Sequence, residues 1–179
     1  MSRQYIDKFY EDYSALHRYL LERNEPSFAI EIGNNFRKSL VLAIASYFEH
    51  AICDVIRTMT STHASGNVLL TSLVEAKAVS RQYHAYFDWD SPSANKFFGC
   101  FGEACKADFL ARQKAEPDFK ASTQAFLELG QTRNRLVHRN YVQFDVDKTP
   151  EEIYGQFTIA LPFLEYVSRT LIGTVDPNR

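Results

Sequence analysis

The stretch Gly130–Asn140, GQTRNRLVHRN, gathers Arg133, Arg135, Arg139 and His138 around Asn134 without a single carboxylate. An imidazole titrates near neutral pH, so it can take a proton from a ribose 2′-hydroxyl or return one to a leaving 5′-oxygen. A guanidinium offers a rigid fork of donors that fits a phosphate and stabilises the charge that grows on it during displacement. Together these groups suit cleavage of an RNA phosphodiester without a metal. Cations in the last turn of a helix are also favoured by the helix dipole, and that plainer account fits the same residues.

If this stretch is helical, Asn134 and His138 lie one turn apart, about 40° around the axis, so the amide can orient the imidazole. Arg133 lies about 140° around from His138 and roughly 7.5 Å along the axis. One helix therefore does not converge the two. Two copies meeting across a two-fold axis would, each lending its arginine to the other's histidine.

The elements that must position these residues follow from periodicity. Ile6, Phe9, Tyr10, Tyr13, Leu16 and Leu20 recur at helical steps, and Pro26 is expected to end that first helix. Apolar residues from Phe36 to Met59 predict one long, deeply packed helix over about 34–60, with Gly33 marking its start or a bend. NVLLTSLVEAKAVS predicts a third helix, and residues 103–115 a short one. The aromatic-rich segment between them, RQYHAYFDWDSPSANKFFGCFG, reads as loop with a short helical turn. Pro117 opens the helix that ends in the arginine-rich run, where Gly130 costs about 1 kcal/mol relative to Ala. Thr149, Pro150 and Glu152 make a capping box for the last helix, which Pro162 should kink. YVQFDV is too isolated to form a sheet, and TVDPNR is expected to fray. The expected fold is all-α: a bundle of four main helices with additional short helices over 62–116.

Composition bounds the function. The 179 residues suit one domain, 45% are hydrophobic, and the net charge of −2 argues against a protein that coats nucleic acid through bulk charge. Cys53, Cys100 and Cys105 show no disulfide framework, no secretory signal opens the chain, and no apolar run approaches the roughly 20 residues of a membrane span. A cytoplasmic protein that does not engage membranes is the expectation.

Other chemistry-bearing residues have plainer accounts. His50 and Cys53 are three apart on the long helix but have no further ligands nearby in sequence, so no metal site is expected. His17, His63 and His84 stand isolated. FFGCFG lacks the strand and lysine of a phosphate loop. The aromatics of YHAYFDWD could stack on bases, yet packing over the core or in a dimer surface accounts for them better.

RNRLVH, at the end of the penultimate helix of an all-α domain, resembles the signature of the HEPN superfamily: arginine, four to six residues, then histidine, often with a polar residue after the arginine. SYFEHAICDVIR, NKFFGCFG and FLELGQTRNRLVHRNY are similar to the prokaryotic RiboL-PSP-HEPN branch, and the likeness covers roughly residues 35–170 of a single HEPN-like domain (1–179, core about 34–172). The resemblance implies a homodimeric, metal-independent endoribonuclease of bacterial defence or toxin–antitoxin type that leaves 2′,3′-cyclic phosphate ends and needs no cofactor. It implies that Arg133 binds the phosphate, His138 acts in acid–base catalysis and Asn134 orients groups in the site. Arg135, Arg139 and Tyr141 would add contacts to RNA, and an antitoxin or defence-system protein is a candidate partner. Glu49 matches an acidic position that faces the motif in some members; a rim carboxylate pairing with an arginine such as Arg135 is the alternative. In one toxin branch a tyrosine two residues after the histidine is nucleotidylated, but here Tyr141 lies three after His138, so that modification is not implied. Many HEPN domains are non-catalytic and bind nucleotides, RNA or protein partners, which is the competing function.

Overall fold

The computed structural model describes residues 2–90, 92–139, 141 and 143–173, and these form a helical bundle with no strand among them. Helix α1 (Arg3–Glu22) starts where the Ser2 side chain accepts from the backbone N–H of Gln4. Its predicted stripe is only partly used. Ile6 and Tyr13 are buried, whereas Phe9 and Leu16 stay exposed. Tyr10 and Tyr13 instead reach neighbouring helices by stacking on Tyr154 and Phe36, at 4.1 and 4.0 Å between ring centroids.

Helix α2 (Pro26–His63) is longer than its periodicity suggests. Pro26 does not merely follow α1; it occupies the first turn of α2, where its missing N–H is not needed. The break between the helices falls at Asn24, whose φ of 57° turns the chain. Gly33 lies inside α2 rather than at its start, and a side chain there would meet the Tyr13 hydroxyl at 3.2 Å. The sequence expectation about apolar runs also needs correction. By length and composition α2 could cross a membrane, with an 18-residue window of mean hydropathy 1.5. Its apolar residues Leu40, Val41, Ile44, Phe48, Ile52 and Ile56 are spent on the core, where α2 packs on α1 and on the last two long helices.

Helix α3 (Val68–Val74) is half the length predicted. It passes into a π-helical turn at Glu75–Val79, which Arg57 of α2 holds through two hydrogen bonds to Glu75, at 2.9 and 3.1 Å. The aromatic segment that follows contains two short helices, α4 (Tyr83–Tyr86) and α5 (Asn95–Gly99). It is core, as packing density suggested: Tyr83, Tyr86, Phe87, Trp89, Phe97 and Phe98 are all buried. The antiparallel bridge between Asp88 and Ser93 is the sole strand-like pairing among the described residues.

Helices α6 (Glu103–Ala115), α7 (Pro117–His138) and α8 (Pro150–Ile172) start near the predicted positions, and α8 carries the full Thr149–Glu152 capping box. Helix α8 continues through Pro162. The next N–H, of Phe163, donates to Ser122 Oγ of α7 at 2.9 Å, so the proline interruption becomes a buried stitch between two helices. The segment TVDPNR, residues 174–179, lies outside the described residues.

Candidate active site

Helix α7 stays α-helical to His138, so the angular arguments made for the arginine-rich run hold in the folded chain. Leu136 is fully buried and fixes the rotation of this last turn. Arg133 and Asn134 are then half-buried on one side, while Arg135, Val137 and His138 are exposed.

On the Arg133 side, α2, α4 and α7 bring together residues that the sequence scatters. Arg133 Nη1 lies 3.5 Å from His84 Nδ1, and His84 Nε2 lies 3.8 Å from Glu49 Oε2. Glu49 thus meets a histidine of α4, not Arg135. Both side chains are about two-fifths exposed, 40% for His84 and 42% for Glu49, so the cluster opens to solvent. His84 is held below the ordinary histidine range first by burial and then by the Arg133 guanidinium, against the opposing pull of Glu49. Beneath them the Tyr83 phenol is pushed far up, by burial first and then by Glu49 and Cys53, and stays protonated.

The position of His84 is set by Trp89 and Gly130. Trp89 Nε1 donates to the carbonyl of His84 at 3.1 Å, and Gln131 Nε2 of α7 donates to the carbonyl of Trp89 at 2.9 Å. The indole lies directly on Gly130: a Cβ there would fall 1.9 Å from Trp89 Cζ3. Gly130 is therefore a requirement of this close approach and not simply a weak point in the helix. Asn134, one turn further on, lines a cleft of about 530 Å³ with Asp88, Trp89, Asp90 and Lys96.

Arg135 and Arg139 face elsewhere. They line a groove beside the connection between α7 and α8, with Phe144, Asp145 and Asp147. The Arg139 guanidinium sits 5.9 Å from the Phe144 ring centroid. The absence of acids between Leu129 and Phe144 in sequence does not carry over into space, because Asp145 and Asp147 line the same groove, with Asp145 ion-paired to Arg37 of α2 at 3.6 Å. Tyr141 belongs to another neighbourhood, where the ammonium of Lys38 lies 5.3 Å from its ring centroid and donates to its carbonyl at 2.9 Å.

Of the residues singled out in the sequence, the fold gathers Arg133 and Glu49 around His84. It separates them from Arg135, Arg139 and Tyr141. His84 was passed over, because an isolated histidine in an aromatic loop gives no local signal; only its tertiary neighbours reveal it. His50 pairs with Asp54 at 3.0 Å, and Cys53 is a buried thiol raised by desolvation. Among the described residues no group of three or more His, Cys, Asp or Glu converges as metal ligands would.

The family model described as RiboL-PSP-HEPN matches residues 7–172 of the chain. No curated protein matches it, and no solved structure does.

Proposed function

From the premise that the chain belongs to the RiboL-PSP-HEPN family, we propose that it is a metal-independent endoribonuclease of bacterial defence or toxin type. In this reading the protein acts in the cytoplasm as a homodimer whose composite site joins the Arg133 and His138 motifs of two subunits. The observation that carries the reading is the contrast within α7. Arg133 is half-buried and steadied by His84, while the His138 imidazole is exposed and, among the described residues, engaged by no hydrogen bond or ion pair. A guanidinium set in place and an accessible imidazole are what phosphoryl transfer without a metal needs.

The chemistry is transesterification. The 2′-oxygen attacks phosphorus, the bond from phosphorus to the 5′-oxygen breaks, and the products are a 2′,3′-cyclic phosphate and a 5′-hydroxyl. A base takes the 2′-hydroxyl proton and an acid supplies one to the 5′-oxygen, with His138 serving in this exchange and Arg133 holding the phosphate. Asn134, four residues before His138, orients groups in the site. Arg135, Arg139 and Tyr141 serve RNA outside the reacting centre.

Purified protein incubated with labelled RNA in EDTA is expected to cut it and leave cyclic phosphate ends, and His138→Ala is expected not to. Solution mass should show a dimer. A protein that binds RNA but leaves it whole at every pH belongs instead with the non-catalytic HEPN binding modules. The half-exposed Glu49–His84–Arg133 cluster would serve such a module equally well as a grip for a nucleotide phosphate.

A further inference from the structure

We propose that His84 is a positioning residue of this site: its neutral ring, with the proton on Nε2 toward Glu49 and the lone pair of Nδ1 toward Arg133, holds the guanidinium aligned for a phosphate. The proposal rests on the reading of Arg133 as the phosphate-gripping group. A guanidinium carries donors only, so the 3.5 Å approach of Arg133 Nη1 to Nδ1 is attractive only when Nδ1 is unprotonated. A neutral ring must then carry its proton on Nε2, which is the nitrogen that faces the Glu49 carboxylate at 3.8 Å. The Arg133 contact thus selects the tautomer, and Glu49 lies on the side where the ring proton then stands.

The groups that face the ring agree with this. Helix α2 contributes Glu49, helix α7 contributes Arg133 and His138, and Tyr83 on its own element packs edge-on at 5.3 Å. Burial and the Arg133 guanidinium outweigh the Glu49 carboxylate and disfavour the protonated ring, as the contact with Arg133 requires. The backbone of His84 is tied through Trp89 to Gly130, which stands one turn before Arg133 on α7. Ring and guanidinium are therefore referenced to the same helix. An arginine held this way has fewer rotamers to lose when a phosphate arrives. Protonation of His84 would set an N–H against the guanidinium and release it.

The tautomer can be read from imidazole ¹⁵N chemical shifts of the wild-type protein. The expected pattern at pH 7 is Nε2–H with a bare Nδ1, and a titration midpoint below the ordinary histidine value. Arg133→Ala should raise that midpoint and Glu49→Gln should lower it. An Nδ1–H tautomer, or a midpoint indifferent to Arg133→Ala, overturns the proposal. In RNA cleavage, His84→Ala should lower kcat about 10- to 100-fold, the scale of a misplaced reacting group. His84→Asn places an oxygen acceptor near the position of Nδ1 and has no proton to gain. It should recover most of that loss and flatten the acid side of the pH profile. Equal losses in both variants, with the wild-type pH profile retained, would also overturn it. If wild-type protein leaves RNA intact, the ribonuclease reading falls, while the ¹⁵N measurement still decides the contact between His84 and Arg133.

Discussion

Helix α7 presents its cations to two unlike settings. Arg133 points into a cluster built from three helices, where its partner is an imidazole nitrogen and a carboxylate stands on the far side of that ring. Two residues later, Arg135 points to the open groove by the connection to α8, which it shares with Arg139, Asp145 and Asp147. The residue type is the same, and the helix is the same. What differs is whether the surrounding structure specifies where the guanidinium lies. Near Arg133 it does, through Trp89, Gly130 and His84. By Arg135 the side chain is exposed along the open groove. A held arginine can stabilise one developing charge, whereas a loose one can only raise the local concentration of an anion.

The sharpest way to break this contrast is to remove its working groups. His138→Ala and Arg133→Ala should each reduce RNA cleavage by about 100-fold or more, by analogy with the loss of an acid–base group or a charge-stabilising donor. Single-turnover rates would show it. Comparable losses from Arg135→Ala would erase the distinction between the two sides.

Gly130→Ala tests the scaffold rather than the chemistry. The new methyl group would collide with the indole of Trp89, so stability should fall by about 1–3 kcal/mol despite the better helix propensity of alanine. Trp89 is the only tryptophan in the chain, so its emission should shift toward that of an exposed indole as it is displaced. Denaturant midpoint and fluorescence together check the point; an unshifted spectrum with unchanged stability would refute the close packing.

On the other side, Arg135→Ala and Arg139→Ala should weaken RNA binding by a few-fold each and lower the slope of affinity against salt by up to about one. Anisotropy titrations at several salt concentrations measure this. A change in the pH dependence of cleavage in these variants would link the two sides after all.

The smallest expected effect is on stability against pH. In the unfolded chain His84 titrates near 6.5, whereas in the fold it resists the proton. Between those midpoints the unfolded state binds more protons, so the contribution of His84 is present above pH 6.5 and is lost as pH falls through the folded-state midpoint. Urea midpoints at pH 7.5 and 5.0 should therefore differ less in His84→Asn than in the wild-type protein.

Much of the frame was legible in the residues. The stripe on α2, Pro117 at the head of α7 and the capping box of α8 are local signals, and each appears where expected. Pro26 and Gly33 misled because a proline reads equally as the end of one helix or the first turn of the next, and because a glycine within a packed helix looks like a boundary. The extent of α3 was overestimated because apolar periodicity does not distinguish an α-turn from the π-turn that Arg57 pins at Glu75.

Spacing along a helix is a local property, so the residues alone specify a helical chain with Arg133, Asn134 and His138 in the last two turns of one helix. It took the packing of α2, α4 and α7 to set Arg133 and Arg135 in different surroundings and to stand His84 and Glu49 on the Arg133 side. Those relations join residues 35 and 49 positions apart in the chain, and they depend on an indole finding room over a glycine. No periodicity records such a meeting, since it exists only once the helices have packed.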